Sequence, residues 1–453
     1  MNTHGLALIK QAYALQEVER IPWVPFVGSH AASLIGVDVD AYSLSGELML
    51  KGLNEAIRRY RPDGIPVAFD LQLEAEQMGC ELVWAKDNPP SVTSHPLSEG
   101  KTLADLPIPS DKIGRLATIL DVTRTLRKQH PELALYGLIC GPFTLALHLL
   151  GTEIFMKMFT DEAEVHEVMT FCNKVCRAMS DYYIEAGCDV IAVVDPMCSQ
   201  IGPDQFNQFV AQYATELFTY LREKGVLNSM FVCGHAQHNI EVMCACKPDN
   251  ISIDENIPLD YVRDVCLKNN VSFGGNIKLT LSLLMGDTDD SRRDALSCMD
   301  IGGKRGYILA PGCDLAYHTP PANLEIIAEL VHDEYQQQVV RALAEKKMDI
   351  ELINLDEYGN SPIVKVDVIT LDSVSCAPCQ YMVEAVKKAC ERFGDKVEWN
   401  EHSVKNMDGV RFMVSAGVQN IPTTLIDGKV KFISRIPPVN ELIKAIEERI
   451  AEK

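Results

Sequence analysis

The sequence predicts an α/β chain in two parts, a (β/α)8 TIM-type barrel followed by a smaller α/β unit. Three observations carry this. Eight short apolar, β-branched runs alternate with helical stretches between about residues 20 and 345. A polar, turn-rich segment, "KKMDIELINLDEYGNSPIV", then interrupts the pattern. The C-terminal residues after it carry their own strand and helix patterns.

Taken in order, the expected barrel strands are 23–27 ("WVPFV"), 64–69, 133–139, 189–194, 226–232, 250–253, 271–275 and 306–310. Between them, stretches such as 163–187 and 204–224 place apolar residues at three- and four-residue steps, the period of a helix with one buried face. A doubly wound open sheet competes with the barrel, but no glycine-rich dinucleotide fingerprint follows the first strand. A helical segment over 322–347 closes this part. In the smaller part, "VKVDVIT" (364–370) reads as a strand and a helix follows "SCAPCQ". "IPTTLID" and "VKFIS" read as a hairpin about "DGK", and the last helix covers 438–451. The expected division is a barrel over 1–350, a linker over 351–362 and the small unit over 363–453.

Composition narrows the function classes. The chain has 453 residues, 47% hydrophobic and 23% charged, ordinary for a globular protein. Its 63 acidic residues against 42 basic ones leave a net charge of −21. That argues against nucleic-acid or anionic-membrane surfaces, which need clustered positive charge. No stretch is long and apolar enough to span a bilayer, and the N-terminus has no basic leader before an apolar core. The expectation is a cytoplasmic protein that binds neither nucleic acid nor membrane. Its 15 cysteines should then be mostly reduced, and most read as core filler.

Two cysteines stand apart. In a barrel the C-terminal ends of the strands form the functional face. Cys233 follows directly on the strand 226–232, and Cys313 follows the strand 306–310. With His235 they would supply three zinc ligands, thiolate and imidazole being the donors zinc favours, with a fourth position open to substrate. Asp195, Asp254 and Glu255 also stand at expected strand ends. They serve either as helix caps and solvated loop residues or as groups that position substrate and support the metal. Asn276, after two glycines that permit close backbone approach, is a similar candidate. In the small unit, Cys376 and Cys379 form a C-x-x-C at a helix start, where the helix N-terminus favours a thiolate. No second cysteine–histidine pair lies nearby to complete a metal site, which favours a redox dithiol.

The segments "FDLQLEAEQMGCEL" (69–82), "GPFTLALHLLG" (141–151), "AGCDVIAVVDPMCSQIGPDQF" (186–206), "FGGNIKLTLSLLMGD" (273–287) and "APGCDLAYHTPPANL" (310–324) occur in an order and spacing that resemble a known family. It is the uroporphyrinogen decarboxylase superfamily, in its corrinoid-dependent methyltransferase branch. The resemblance implies a methyltransferase with zinc and a corrinoid (methylcobamide), which a corrinoid protein would dock to deliver over the barrel mouth. A small molecule would be methyl donor or acceptor. A decarboxylase of tetrapyrroles is disfavoured, because "ERIPWVPFVGSHAA" (19–32) has only Arg20 where that enzyme carries an arginine-rich stretch for its substrate's carboxylates.

The branch binds zinc through a His-x-Cys pair and a distant cysteine before a Thr-Pro segment. Cys233 and Cys313 match those cysteines, but Phe231 stands at the histidine position. His235 is the nearest substitute, and His238 is further away. The last part resembles thioredoxin or glutaredoxin, which implies a cis Pro422 facing Cys376 and Cys379. Tethered to the barrel, that dithiol is expected to reduce the barrel's site or a thiol bound in it. The competing reading is a thiol–disulfide oxidoreductase whose barrel only binds.

Overall fold

The computed structural model describes residues 5–342, 352–355, 360–374, 376–418 and 420–453. The chain divides into two compact units, Met1–Glu345 and Lys346–Lys453.

In the first unit seven parallel strands pair in chain order: β1 (Gly64–Pro66), β2 (Ala134–Cys140), β3 (Val190–Val194), β4 (Leu227–Val232), β5 (Asn250–Ile253), β6 (Ser272–Ile277) and β7 (Tyr307–Pro311). Helices run between successive strands, as parallel pairing requires of a crossover. With both faces covered, strands such as β3, VIAVV, read as unbroken apolar runs. β2 is buried at every residue.

The first expected strand, 23–27, is present in position but not as a ladder. Trp23 bridges Leu309 in parallel. Val24 N–H donates to the Leu309 carbonyl at 2.9 Å, and Leu309 N–H donates to Pro22 at 2.9 Å. On the other side Asp63 N–H donates to the Trp23 carbonyl at 2.8 Å. These contacts link β7 to the start of β1. Pro22 and Pro25 lack N–H groups, so a regular ladder cannot form there. The Asp63 carboxylate pins the run by accepting from Trp23 N–H at 2.9 Å and from Arg20 at 2.6 and 2.7 Å.

The interior is filled by alternate strand residues, including Tyr136, Leu138, Val190, Ala192, Val194, Phe231, Ile308 and Ala310. Tyr13 and Leu8 of the helix Gly5–Tyr13 join them. That helix starts beside the N-terminal strand ends, where Leu6 N–H donates to Glu132. Among the described residues no helix is long and apolar enough to cross a membrane.

The segment expected as one helix over 322–347 is two, Pro321–His332 and Glu334–Ala342. They break at Asp333, whose carboxylate accepts the N–H groups of Tyr335 and Gln336 and so caps the second helix. Residues 343–347 lie outside the described residues, as do 351 and 356–359 of the expected linker. Within the linker range Ile353 N–H donates to Ser415 Oγ at 2.7 Å.

The second unit has a four-stranded sheet of β8 (Val364–Thr370), β9 (Val397–Ser403), β10 (Thr423–Ile426) and β11 (Lys429–Ile433), in the order β9-β8-β10-β11. β8 and β9 are parallel, and the other pairs are antiparallel. Asp427 and Gly428 both take positive φ, +48° and +73°, the turn that a two-residue hairpin needs. The helices Ala377–Cys390 and Val439–Glu452 pack Met382, Val386, Leu442 and Ile446 against Val366 and Val368.

Candidate functional site

Cys233 leaves the end of β4 and Cys313 follows β7 by one glycine. Their sulfurs lie 3.1 Å apart, and both side chains are half-buried. Eighty residues of chain separate them, so only barrel closure brings them together.

Two adjacent carboxylates after β5 support these turns. Asp254 accepts the backbone N–H of Gly234, the residue after Cys233, together with Asn256 N–H at 2.9 Å and Asn256 Nδ2 at 3.0 Å. Glu255 accepts Leu279 N–H at 3.2 Å. It also packs under Gly312, the residue before Cys313, where a Cβ would lie 2.3 Å from Glu255 Oε2. Burial raises the pKa of both carboxyls, and the charge of Asp254 raises that of Glu255 further. Asn276 holds the same loop from β6, donating Nδ2 to the carbonyls of Asp254 at 3.2 Å and Ile257 at 2.8 Å. These three side chains meet the protein's own backbone and set where the cysteines stand.

Asp195 takes the capping role of the two open to it. From the end of β3 its carboxylate accepts Phe143 N–H at 3.1 Å, Thr144 N–H at 2.8 Å and Thr144 Oγ1 at 2.6 Å. It thereby closes the N-terminus of the helix Pro142–Leu150. Burial raises its pKa, and the Thr144 hydrogen bonds oppose that.

The metal question turns on the third donor. Phe231 on β4 and Cys233, one residue past its end, are two residues apart and pack against the same interior cluster. Phe231 therefore points into the barrel, where its ring lies 5.1 Å from that of Phe26 and 5.9 Å from that of Phe69. His235 comes after Gly234, whose φ of +80° ends the pleat. Among the described residues no three His, Cys, Asp or Glu side chains gather around one point, so His235 does not join the cysteine pair in this conformation. The ring of His235 lies 6.3 Å from that of His238. His238 Nε2 is engaged with the Ile201 carbonyl at 3.0 Å. Yet His235 Nδ1 is buried without a hydrogen-bond partner. Burial and His238 lower its pKa, which keeps the imidazole neutral as a metal ligand must be. Two thiols and one neutral imidazole whose Nδ1 has no hydrogen-bond partner fit zinc in donor chemistry.

Two features were not legible in the sequence. Asp314, next to Cys313, accepts Gly28 N–H at 2.7 Å and so ties the Cys313 loop to the end of the first strand run. The adjacency to Cys313 was visible, but a partner 286 positions away was not. Beside Gly28 lies a small cleft lined by Ser29, Tyr42, Phe69, Asp70 and Arg115. Arg115 is engaged there by Asp70 and by Glu76, and its guanidinium lies over the Trp84 ring.

In the second unit Cys376 is the N-cap residue of the helix Ala377–Cys390 and is partly exposed. Cys379 is buried in the first turn and accepts Leu371 N–H at 3.3 Å. Ser375 lies outside the described residues. The Ile421–Pro422 peptide is cis.

Comparison with known proteins agrees with this architecture. The family model for uroporphyrinogen decarboxylase (URO-D) matches residues 6–334, and that for a thioredoxin domain matches 364–447. The methylcobamide:CoM methyltransferase MtbA of Methanosarcina acetivorans is 28% identical over 272 residues, covering 59% of this chain and 78% of its own. The methylcobamide:CoM methyltransferase MtaA of Methanosarcina barkeri is 29% identical over 299 residues, covering 64% and 85%. A uroporphyrinogen decarboxylase of Thermus thermophilus is 28% identical over 226 residues, covering 48% and 64%. Among solved structures, a methyltransferase from Methanosarcina mazei shares the fold with a TM-score of 0.67 at 23% identity, over 73% of this chain and 98% of that one.

Proposed function

Because the chain belongs to the uroporphyrinogen decarboxylase family and ends in a thioredoxin domain, we propose that it is a corrinoid-dependent methyltransferase. It would move a methyl group between a methylcobamide, carried by a corrinoid protein, and a small thiol or other small donor or acceptor. The observation that carries this is the convergence of Cys233 and Cys313 at the ends of β4 and β7. That the relatives include proteins named methylcobamide:CoM methyltransferases supports it.

Cys233 and Cys313 would hold zinc, and the imidazole of His235 would join them only by turning from the place it takes here. Bound there, zinc would act as a Lewis acid that lowers the pKa of a coordinated thiol and directs it toward an electrophilic methyl. This chain's own residues then have separable tasks. Asp254, Glu255 and Asn276 hold the cysteine turns in place from below. Phe231, Phe26 and Phe69 form an apolar floor that keeps water from beneath the thiols. The cleft beside Gly28 and Arg115 is where the small substrate would enter.

A tetrapyrrole decarboxylase is the weaker reading. Arg20, the one arginine of 19–32, is paired with Asp63, and Arg115 is held by Asp70 and Glu76. Neither is left to meet substrate carboxylates.

The decisive experiment mixes a methylated free corrinoid with zinc-loaded protein and a panel of thiols, and follows the cobalt–methyl absorption. Its loss with one thiol and not the others is expected and names the acceptor. Protein that retains less than about a tenth of an equivalent of zinc after supplementation would end the zinc version. A spectrum unchanged by every thiol, and by methyl donors in the reverse direction, would end the methyl-transfer reading.

A further inference from the structure

We propose that Cys233 and Cys313 form a redox-active dithiol that takes a small-molecule disulfide as its co-substrate. The proposal shares with the methyl-transfer reading only the identity of the two thiols, and needs neither a metal nor a corrinoid.

Four observations lead to it. The sulfurs stand 3.1 Å apart, about 1 Å from bonding distance. Both residues are partly exposed at the open end of the barrel, so an attacking or attacked sulfur can reach them. Their turns are braced by Asp254 on Gly234 and by Glu255 under Gly312, which holds the pair together without a metal. Among the described residues no third His, Cys, Asp or Glu side chain joins the two sulfurs at one point. The pair Cys244 and Cys266 shows what is special here. Those sulfurs are also close, at 3.8 Å, but both residues are buried, and exchange needs access.

The step balances as thiol–disulfide exchange. The thiolate of one cysteine attacks one sulfur of R–S–S–R, forming a mixed disulfide and expelling R–S⁻, which takes a proton from solvent. The second cysteine, as thiolate, then attacks the first cysteine's sulfur and expels the other R–S⁻, which is protonated in turn. The two cysteine thiols are oxidised by two electrons to one disulfide, and the small disulfide is reduced to two thiols. The products are free thiols, the class of acceptor proposed for the same mouth.

The test uses the full-length protein, stripped of metal by a chelator. It is incubated without oxygen with oxidised glutathione, quenched in denaturant with excess alkylating agent, and mapped by peptide mass spectrometry. Expected is a cross-linked species joining the Cys233 and Cys313 peptides, lighter by two hydrogens. Alkylation of both residues should fall at least tenfold, with Cys244 and Cys266 still alkylated. Full alkylation of Cys233 and Cys313, or a glutathione adduct on each with no link, overturns the proposal. In Cys313→Ser and Cys233→Ser the reaction should stop at a glutathione adduct on the remaining cysteine of at least one variant, and no adduct in either also overturns it. Repeating the wild-type reaction with added zinc separates the two readings. Protection by zinc supports the shared site, whereas equal linkage with and without zinc leaves the dithiol standing and counts against the metal alone.

Discussion

The carboxylate of Asp254 accepts the N–H of Gly234, while its neighbour Glu255 lies directly beneath Gly312. One dipeptide at the end of β5 thus buttresses both cysteine turns, those of β4 and β7. The position of both cysteine turns is therefore expected to depend on this pair.

Gly312→Ala tests that dependence. The added Cβ would meet Glu255 Oε2 at 2.3 Å and the Glu255 backbone nitrogen at 2.9 Å, and backbone cannot swing aside. A stability loss of about 1–3 kcal/mol is expected in thermal unfolding, the usual cost of overpacking. Disulfide formation between Cys233 and Cys313 should slow at temperatures where the variant is still folded. Wild-type stability and wild-type rates would show that Glu255 does not set the position of Cys313.

Phe231→His should add the donor that the inward face lacks. Zinc affinity, measured by competition with a chromophoric chelator, is expected to rise at least tenfold. Stability should fall by about 1–3 kcal/mol, because a polar ring enters an apolar cluster with Phe26 and Phe69. Unchanged affinity in a folded variant would mean that position 231 does not face the thiols.

Glu74 supplies a pH-dependent term. It is fully buried, accepts Cys140 N–H at 2.9 Å, and leaves Oε2 unpartnered. Burial pushes its carboxyl up from 4.5 to about 8. The folded protein therefore holds this proton more tightly than the unfolded chain does. The resulting stability is fully present below about pH 4.5 and is lost as pH rises to about 8. Glu74→Gln, always neutral, should flatten this slope, so that its melting temperature gains on wild type from pH 5 to pH 8. Parallel melting curves for the two proteins across that range would refute it.

Cys376 and Cys379 are expected to maintain the barrel's thiols. Replacing both by serine should leave initial turnover unchanged under strict reductant and speed the loss of activity several-fold in its absence. Equal decay of variant and wild type in reductant-free buffer would show that the thioredoxin domain has another task.

The sequence by itself determined the repeating frame and therefore where chemistry could sit. Short β-branched runs with helical stretches between them placed β1 to β7 within a few residues, because the period of the apolar residues changes where strand gives way to helix. Strand-end position, with His235 close by in the chain and the family resemblance, then singled out Cys233 and Cys313 from 15 cysteines. It could not assign the neighbouring carboxylates. Asp195 and Asp254 are the same residue type at equivalent strand ends, yet one caps a helix that starts 53 positions earlier and the other holds a cysteine turn. Those partners are chosen by barrel closure, as is the meeting of Asp314 with Gly28. His235 shows the same limit at short range. Its distance from Cys233 in the chain made it the natural third donor, but the left-handed turn at Gly234 ends the strand's alternation, and the inward place belongs to Phe231. Spacing along a chain states which donors are near in sequence. Only the folded backbone decides which of them face one point.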